Sequence, residues 1–294
     1  MDALPTYKPR LPTWMRKTAG DWEAMHTLKA RFRSRRLHTV CEEARCPNMG
    51  ECWSRGVATF MIGGDICTRS CRFCAVKSGR PLPLDPEEPR QIAAMVDQMG
   101  LRHIVITAVA RDDLADEGAG HFAQTVQAIH EETRQVTVEV LTPDFHAREE
   151  CLRAVGTACP EIFNHNIETV RRLTPGVRSK ARYDRSLTVL QRMHEWYPDI
   201  HIKSGIMVGL GETRGEVEET LRDLRSAGCI IVTIGQYLQP TKEHHPVVEY
   251  VRPEVFEELR AYGESLGFAR VFSGPFVRSS YMADTQFLGR HNGS

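Results

Sequence analysis

The sequence predicts an α/β fold, a partial (β/α)6 barrel of the TIM type with N-terminal and C-terminal extensions closing its site. Three observations predict it. From Ala58 onward, strands and helices alternate at roughly 25–35 residues per unit, the signature of a parallel sheet with crossover helices. The strand candidates, at 58–63, 103–109, 136–141, 162–167, 200–208 and 230–238, are short Val/Ile-rich runs suited to burial on both faces. Six units fall short of the eight of a closed barrel, so the barrel is partial.

Helical segments separate the strands. Val217, Leu221 and Leu224 fall at i, i+4 and i+7 and give one buried stripe, with Gly228 placed as a C′ residue beyond it. Residues 1–57 are polar, with a helix-like stretch at 20–32, and end in a Cys-bearing loop. The expected division is therefore an N-terminal extension at 1–57, a barrel at 58–267 and a C-terminal extension at 268–294. The last segment is rich in Gly, Ser and Arg and reads as an extended tail.

Of the 294 residues, 41% are hydrophobic and 26% charged, and Lys plus Arg equals Asp plus Glu at 38 each. That balance speaks against a nucleic-acid binder or a membrane-surface protein. Arg31, Arg33, Arg35 and Arg36 are a local exception, either a solvated helix face or a docking surface for an acidic partner. No run approaches the ~18–20 apolar residues of a membrane span, and the first residues lack the apolar core of a secretory signal. The expected compartment is the cytoplasm, where thiols stay reduced, so nine Cys point to metal or catalysis rather than disulfides.

Six of those Cys lie within 34 residues, as Cys41-x4-Cys46-x5-Cys52 and Cys67-x3-Cys71-x2-Cys74. A zinc site usually takes four ligands in paired C-x2-C knuckles, which neither triplet has. Three thiolates instead suit three irons of a [4Fe–4S] cube, leaving the fourth iron open. The second triplet directly follows the first strand, at the carboxyl end of the sheet where barrel active sites gather. Cys151, Cys159 and Cys229 read as small buried hydrophobes.

CTRSCRFC resembles the C-x3-C-x-aromatic-C loop of the radical S-adenosylmethionine (SAM) superfamily. The resemblance implies that the open iron chelates SAM, that electron transfer releases a 5′-deoxyadenosyl radical, and that backbone around Phe73 meets the adenine. More closely, CEEARCPNMGECW at 41–53 looks like the auxiliary-cluster loop of lipoyl synthases, as do ATFMIGGDICTRSCRFCAV, RDDLADEGA, FNHNIETV, KSGIMVGLGET, TIGQYLQPT and VRSSY. The likeness runs from about Pro9 to Asp284. It departs at Ala108-Val109-Ala110, where the family more often has Ser-Val-Asp, and at Met282, where His or a basic residue is commoner.

What this resemblance implies is specific. Cys67, Cys71 and Cys74 bind the radical-generating cluster. Cys41, Cys46 and Cys52 bind three irons of an auxiliary [4Fe–4S] cluster that serves as sulfur source. Its fourth iron is held by a serine of Arg278-Ser279-Ser280-Tyr281, Ser280 being favoured over Ser279. A serine oxygen is a harder ligand than thiolate and more readily lost, which suits a cluster that is dismantled. Asn166 and Glu168, alternating along the fourth strand, share a face and reach the ribose and amino groups of SAM. Arg182 is a candidate carboxylate partner, and Gly209, within GIMVGLGE at 205–212, lets backbone approach the adenine. The implied reaction places sulfur at C6 and C8 of a protein-bound octanoyl chain. Its implied carriers are lipoyl domains or the glycine-cleavage H protein, and a flavodoxin or ferredoxin is the expected reductant. The competing readings are another radical SAM sulfur-inserting enzyme, such as a biotin synthase or methylthiotransferase, and a non-enzymatic zinc module.

Overall fold

The computed structural model describes residues 11–15, 38–39, 48, 51–52, 57–133, 136–281 and 283. The helix-like stretch at 20–32, the arginines at 31–36, Cys41, Cys46 and Met282 lie outside the described residues.

An eight-stranded sheet forms the body, in the order β1-β2-β5-β6-β7-β8-β9-β10. Its seven parallel strands are β2 (Val57–Ile62), β5 (His103–Ala108), β6 (Thr137–Leu141), β7 (Ile162–Asn164), β8 (His201–Val208), β9 (Ile231–Gln236) and β10 (Arg270–Gly274). β1 (His38–Thr39) adds an antiparallel edge, with His38 opposite Met61. A separate two-stranded pair, β3 (Ile66–Cys67) and β4 (Lys77–Ser78), lies between β2 and β5 in the chain.

Six helices follow the first six parallel strands: α1 (Glu88–Gln98), α2 (Ala119–Glu132), α3 (Glu149–Thr157), α5 (Tyr183–Trp196), α6 (Arg214–Ser226) and α7 (Pro253–Ser265). A single extra turn, α4 (Thr174–Val177), precedes α5. The six βα units expected of a partial barrel are therefore present. Every residue of β9 is buried, and so is all of β5 except its last, which is why these strands carry near-continuous apolar runs.

The expected stripe holds on α6, where Val217, Leu221 and Leu224 are buried beneath a Thr213–Glu216 capping box. Gly228 follows the helix at φ +88°, and a Cβ there would lie 2.3 Å from the His194 ring. That position needs glycine for both reasons.

Two departures matter for the site. The tail reading of residues after 267 is incomplete, because Arg270–Gly274 forms a seventh parallel strand on β9. As a half-exposed edge strand with Arg, Ser and Gly, it lacks the apolar signal of the buried ones. The fourth strand also ends at Asn164, short of the expected 167. Beyond it Glu168 takes φ +67°, and only an isolated bridge to Ile206 continues the pairing. Simple alternation does not set Asn166 and Glu168, yet they share a face: Asn166 Nδ2 donates to Glu168 Oε1 at 3.1 Å.

Candidate active site

β2 leaves the sheet through Gly63 and Gly64, both at positive φ, and enters the cysteine loop. The parallel β3–β4 pair ties the loop's ends, with Gly79 N donating to Cys67 O and Ser78 Oγ to Arg69 O, both at 2.9 Å. Cys67 Sγ accepts from the backbone N–H groups of Ala110 and Arg69, at 3.3 and 3.4 Å. Burial pushes the Cys71 thiol up, and pushes the Cys74 thiol to about 12, where the Cys71 and Cys67 sulfurs add to the effect. The three sulfurs thus face one another closely enough to interact. Among the described residues, the one group of His, Cys and carboxylate ligands whose atoms all lie within 4.8 Å is Asp112, Glu117 and His146. Three thiolates on one loop suit three corners of a cube, with the fourth iron left open. A bound metal centre also reverses the cost of burial, since coordinated thiols are deprotonated outright. The donor set fits an iron–sulfur cluster and does not fit a zinc knuckle.

The loop is anchored from beneath by Arg69, whose side chain is 6% exposed. Its guanidinium donates to Asp112 at 2.6–3.1 Å and to Asp144 Oδ1 at 2.8 Å, bridging the loops after β5 and β6. Burial works against the Asp144 charge, but Arg69 and then His165 and Arg185 outweigh it and hold the carboxyl at about 2. Asp112 N donates to Thr68 Oγ1, and Arg111 reaches Gly63 O at 3.1 Å. RDDLADEGA is therefore a clasp on the cysteine loop. The Asp112–Glu117–His146 group already holds the Arg69 cation, with Lys180 and Arg148 beside it.

Across the barrel mouth, Phe73 packs with Val177, Leu210 and Tyr237. His244 Nε2 contacts Cys74 O at 2.9 Å, and His245 donates through N to Arg72 O and through Nε2 to Leu210 O. The segment after TIGQYLQPT thus latches the cysteine loop from above. No motif spacing signals that role, because both histidines act on backbone carbonyls. Gly209 has φ +96°, and a Cβ would lie 2.4 Å from Glu249 O, so only glycine fits. Glu212 accepts from the N–H groups of Gly209 and Leu210 at 2.5 and 2.9 Å.

Burial raises the Glu168 carboxyl, with Arg178 as the opposing charge. Arg178, buried, donates to Ile167 O and Ser186 Oγ, and its charge partly offsets the burial that raises the Cys71 thiol. Arg182 is exposed at the N-cap of α5. Arg178 lies in an irregular stretch just before that helix, where periodicity carries no signal.

The barrel interior carries a buried ion pair. Lys203 Nζ donates to both Glu139 oxygens at 2.8 Å, neither side chain being exposed, and to Ser279 O at 2.7 Å. Burial opposes the Glu139 charge, yet Lys203 holds the carboxyl below its ordinary range. Asn166 and Ser279 exchange hydrogen bonds at 2.7 and 3.0 Å. One turn on, Tyr281 Oη donates to Glu51 Oε1 at 2.9 Å, and Asn48 Nδ2 donates to Phe276 O at 2.6 Å. Cys52, buried, lies next to Glu51, so VRSSY is docked on the segment that carries the first Cys triplet. Among the described residues, none is hydrogen-bonded to the Ser280 hydroxyl. Of the other cysteines, Cys151 and Cys229 are buried as expected, whereas Cys159 is exposed at φ +57°, on a turn past α3 rather than in the core.

Three thiolates on a loop at the carboxyl end of a partial parallel barrel define a radical SAM protein, and the model of the radical SAM superfamily matches residues 61–224. The N-terminal domain of lipoyl synthase matches residues 4–46. The chain is 54% identical over 278 residues to the lipoyl synthase of Shouchella clausii, covering 94% of this chain and 90% of that one. It is 52% identical over 280 residues to that of Xylella fastidiosa (94% and 75%) and 54% over 275 residues to that of Bacteroides fragilis (94% and 95%). Among solved structures, methylornithine synthase shares the fold at TM-score 0.54 and 15% identity, covering 80% of this chain and 78% of that one. Streptococcus suis SuiB bound to precursor peptide SuiA does so at TM-score 0.58 and 9% identity; the match covers 92% of this chain and 58% of SuiB. The chain belongs to the lipoyl synthase family. It is an enzyme that inserts sulfur to form the lipoyl cofactor on an octanoylated protein, using SAM and [4Fe–4S] clusters.

Proposed function

We propose that Cys67, Cys71 and Cys74 hold the radical-generating cluster, that Cys41, Cys46, Cys52 and Ser280 hold the auxiliary one, and that sulfur enters at C6 and C8 of the octanoyl chain. The observation that supports this division is the docking of VRSSY on the first Cys segment through Tyr281–Glu51 and Asn48–Phe276. Bound there, SAM with its cluster supplies hydrogen-atom abstraction and the auxiliary cluster supplies sulfur, chemistry beyond acid–base side chains. The chain's own residues orient and enclose. Asn166 and Glu168 face the SAM ribose and amino groups, Gly209 and the backbone around Phe73 admit the adenine, and Arg178 rather than Arg182 balances charge beside Cys71. In this reading the barrel part, 58–267, extends through β10.

The carriers are lipoyl domains or the glycine-cleavage H protein, met by Arg31, Arg33, Arg35 and Arg36 through weak, salt-sensitive pairing. A flavodoxin or ferredoxin supplies electrons. No described helix is long and apolar enough to cross a membrane; the compartment proposed is the cytoplasm, whose reducing conditions suit cluster thiolates.

The test is anaerobic turnover of an octanoyl-lysine peptide with SAM and dithionite, read by mass. A gain of two sulfur atoms is expected. Cys67→Ala, Cys71→Ala and Cys74→Ala should abolish SAM cleavage, whereas Cys41→Ala, Cys46→Ala and Cys52→Ala should keep it and form no C–S bond. Equal loss of SAM cleavage in both sets refutes the division.

A further inference from the structure

We propose that the Lys203–Glu139 ion pair inside the barrel is a positioning device that seats Val277–Ser279 and thereby presents Ser280 to the auxiliary cluster; this rests on Ser280 being the ligand. A fully buried ion pair seldom stabilises a fold more than apolar residues of equal volume, so its presence calls for another reason. The donor inventory supplies one. An ammonium has three N–H donors; Lys203 gives two to Glu139 and the third to Ser279 O, 76 residues away in sequence. Glu139 is itself fixed by Asn164 Nδ2 at 2.9 Å.

The neighbouring strands leave room for the same segment. Gly205, two residues along β8 from Lys203, would bring a Cβ to 3.0 Å from Ser279 Oγ. Gly235 on β9 would bring one to 2.2 Å from Val277 O. With the Ser279 carbonyl held by Lys203 and its hydroxyl held by Asn166, the backbone entering Ser280 has little freedom left. The Ser280 hydroxyl is spent on no described partner. Ligand presentation is set from inside the barrel.

Two variants test this by different routes. Lys203→Met with Glu139→Gln removes both charges together, so no lone carboxylate stays buried. Gly235→Ala leaves the pair intact and displaces Val277. In cluster-free protein, hydrogen exchange across 276–281 should accelerate in both, about tenfold in the double variant, the loss expected of one charge-assisted hydrogen bond, and measurably in Gly235→Ala through the displaced Val277 carbonyl. In a background with Cys67, Cys71 and Cys74 changed to Ala, the reconstituted auxiliary cluster should lose its fourth iron as Fe2+ and, after one-electron oxidation with ferricyanide, show the electron paramagnetic resonance signal of an oxidised three-iron cluster. With those cysteines intact, SAM cleavage should persist. Unchanged exchange at 276–281 in both variants, or a complete four-iron auxiliary cluster in both, overturns the proposal. Ser280→Ala separates the two readings: if it leaves the auxiliary cluster unaltered, the ligand assignment has failed, while faster exchange in the two variants still establishes the seat.

Discussion

Replacing Arg69 by Met tests whether the cysteine loop is held from beneath. The substitution keeps much of the side-chain bulk but removes a buried guanidinium that ties the loop to Asp112 and Asp144. Breaking a buried pair typically costs about 3–5 kcal/mol. Here the stranded carboxylates keep other partners, Asp144 with Arg185 at 2.7 Å and Asp112 with Lys180 at 3.3 Å, so the low end, about 3 kcal/mol, applies. For a chain of this size that corresponds to a fall in melting temperature of about 6 °C. The pH dependence carries a sign. Asp144 sits at about 2 against an ordinary 3.8, a depressed carboxyl, so its stabilisation is full above the ordinary value and fades as pH falls through about 2. The gap in melting temperature between parent and variant should therefore close from about pH 4 toward about pH 2 in cluster-free protein. Calorimetry at both ends of that range is the assay, with SAM cleavage of the reconstituted protein as the functional reading. A melting temperature within about 1 °C of the parent at neutral pH, or a gap that widens in acid, would refute the reasoning.

Two further outcomes follow from the site and the scaffold. Arg178→Lys should raise the KM for SAM about tenfold, the scale of one lost charge-assisted contact, while Arg182→Ala should leave it within about twofold because that side chain is exposed; the reverse order would restore Arg182 to the site. Gly228→Ala should cost about 1–3 kcal/mol in denaturant melts, since a Cβ at φ +88° strains the backbone and meets the His194 ring. SAM cleavage per folded molecule should not change, and a selective loss of cleavage would show that α6 governs the site as well as the core.

The parts of the fold that were legible are those where one physical force dominates. Strands buried on both faces announce themselves as apolar runs, and α6 as a stripe from Val217 to Leu224. Cys67, Cys71 and Cys74 were legible as a group from their spacing, and they fall on one loop at the carboxyl end of the first parallel strand. What escaped was held by backbone polar groups and long-range contacts. β10 is an edge strand whose partner, not its composition, makes it a strand. The histidine latch at His244 and His245 acts on carbonyls that every residue possesses. Glu139 and Lys203 lie 64 residues apart, and nothing local marks them as a pair.

The docking of Phe276 and Tyr281 on Asn48 and Glu51 joins parts of the chain 228 and 230 residues apart. Contacts of such separation close late in folding, after the barrel between them has formed. An auxiliary cluster held across that seam, as proposed above, would load only once the chain has folded. Misfolded molecules would then be spared a labile store of sulfide, and iron at the second centre would report on the integrity of the whole barrel.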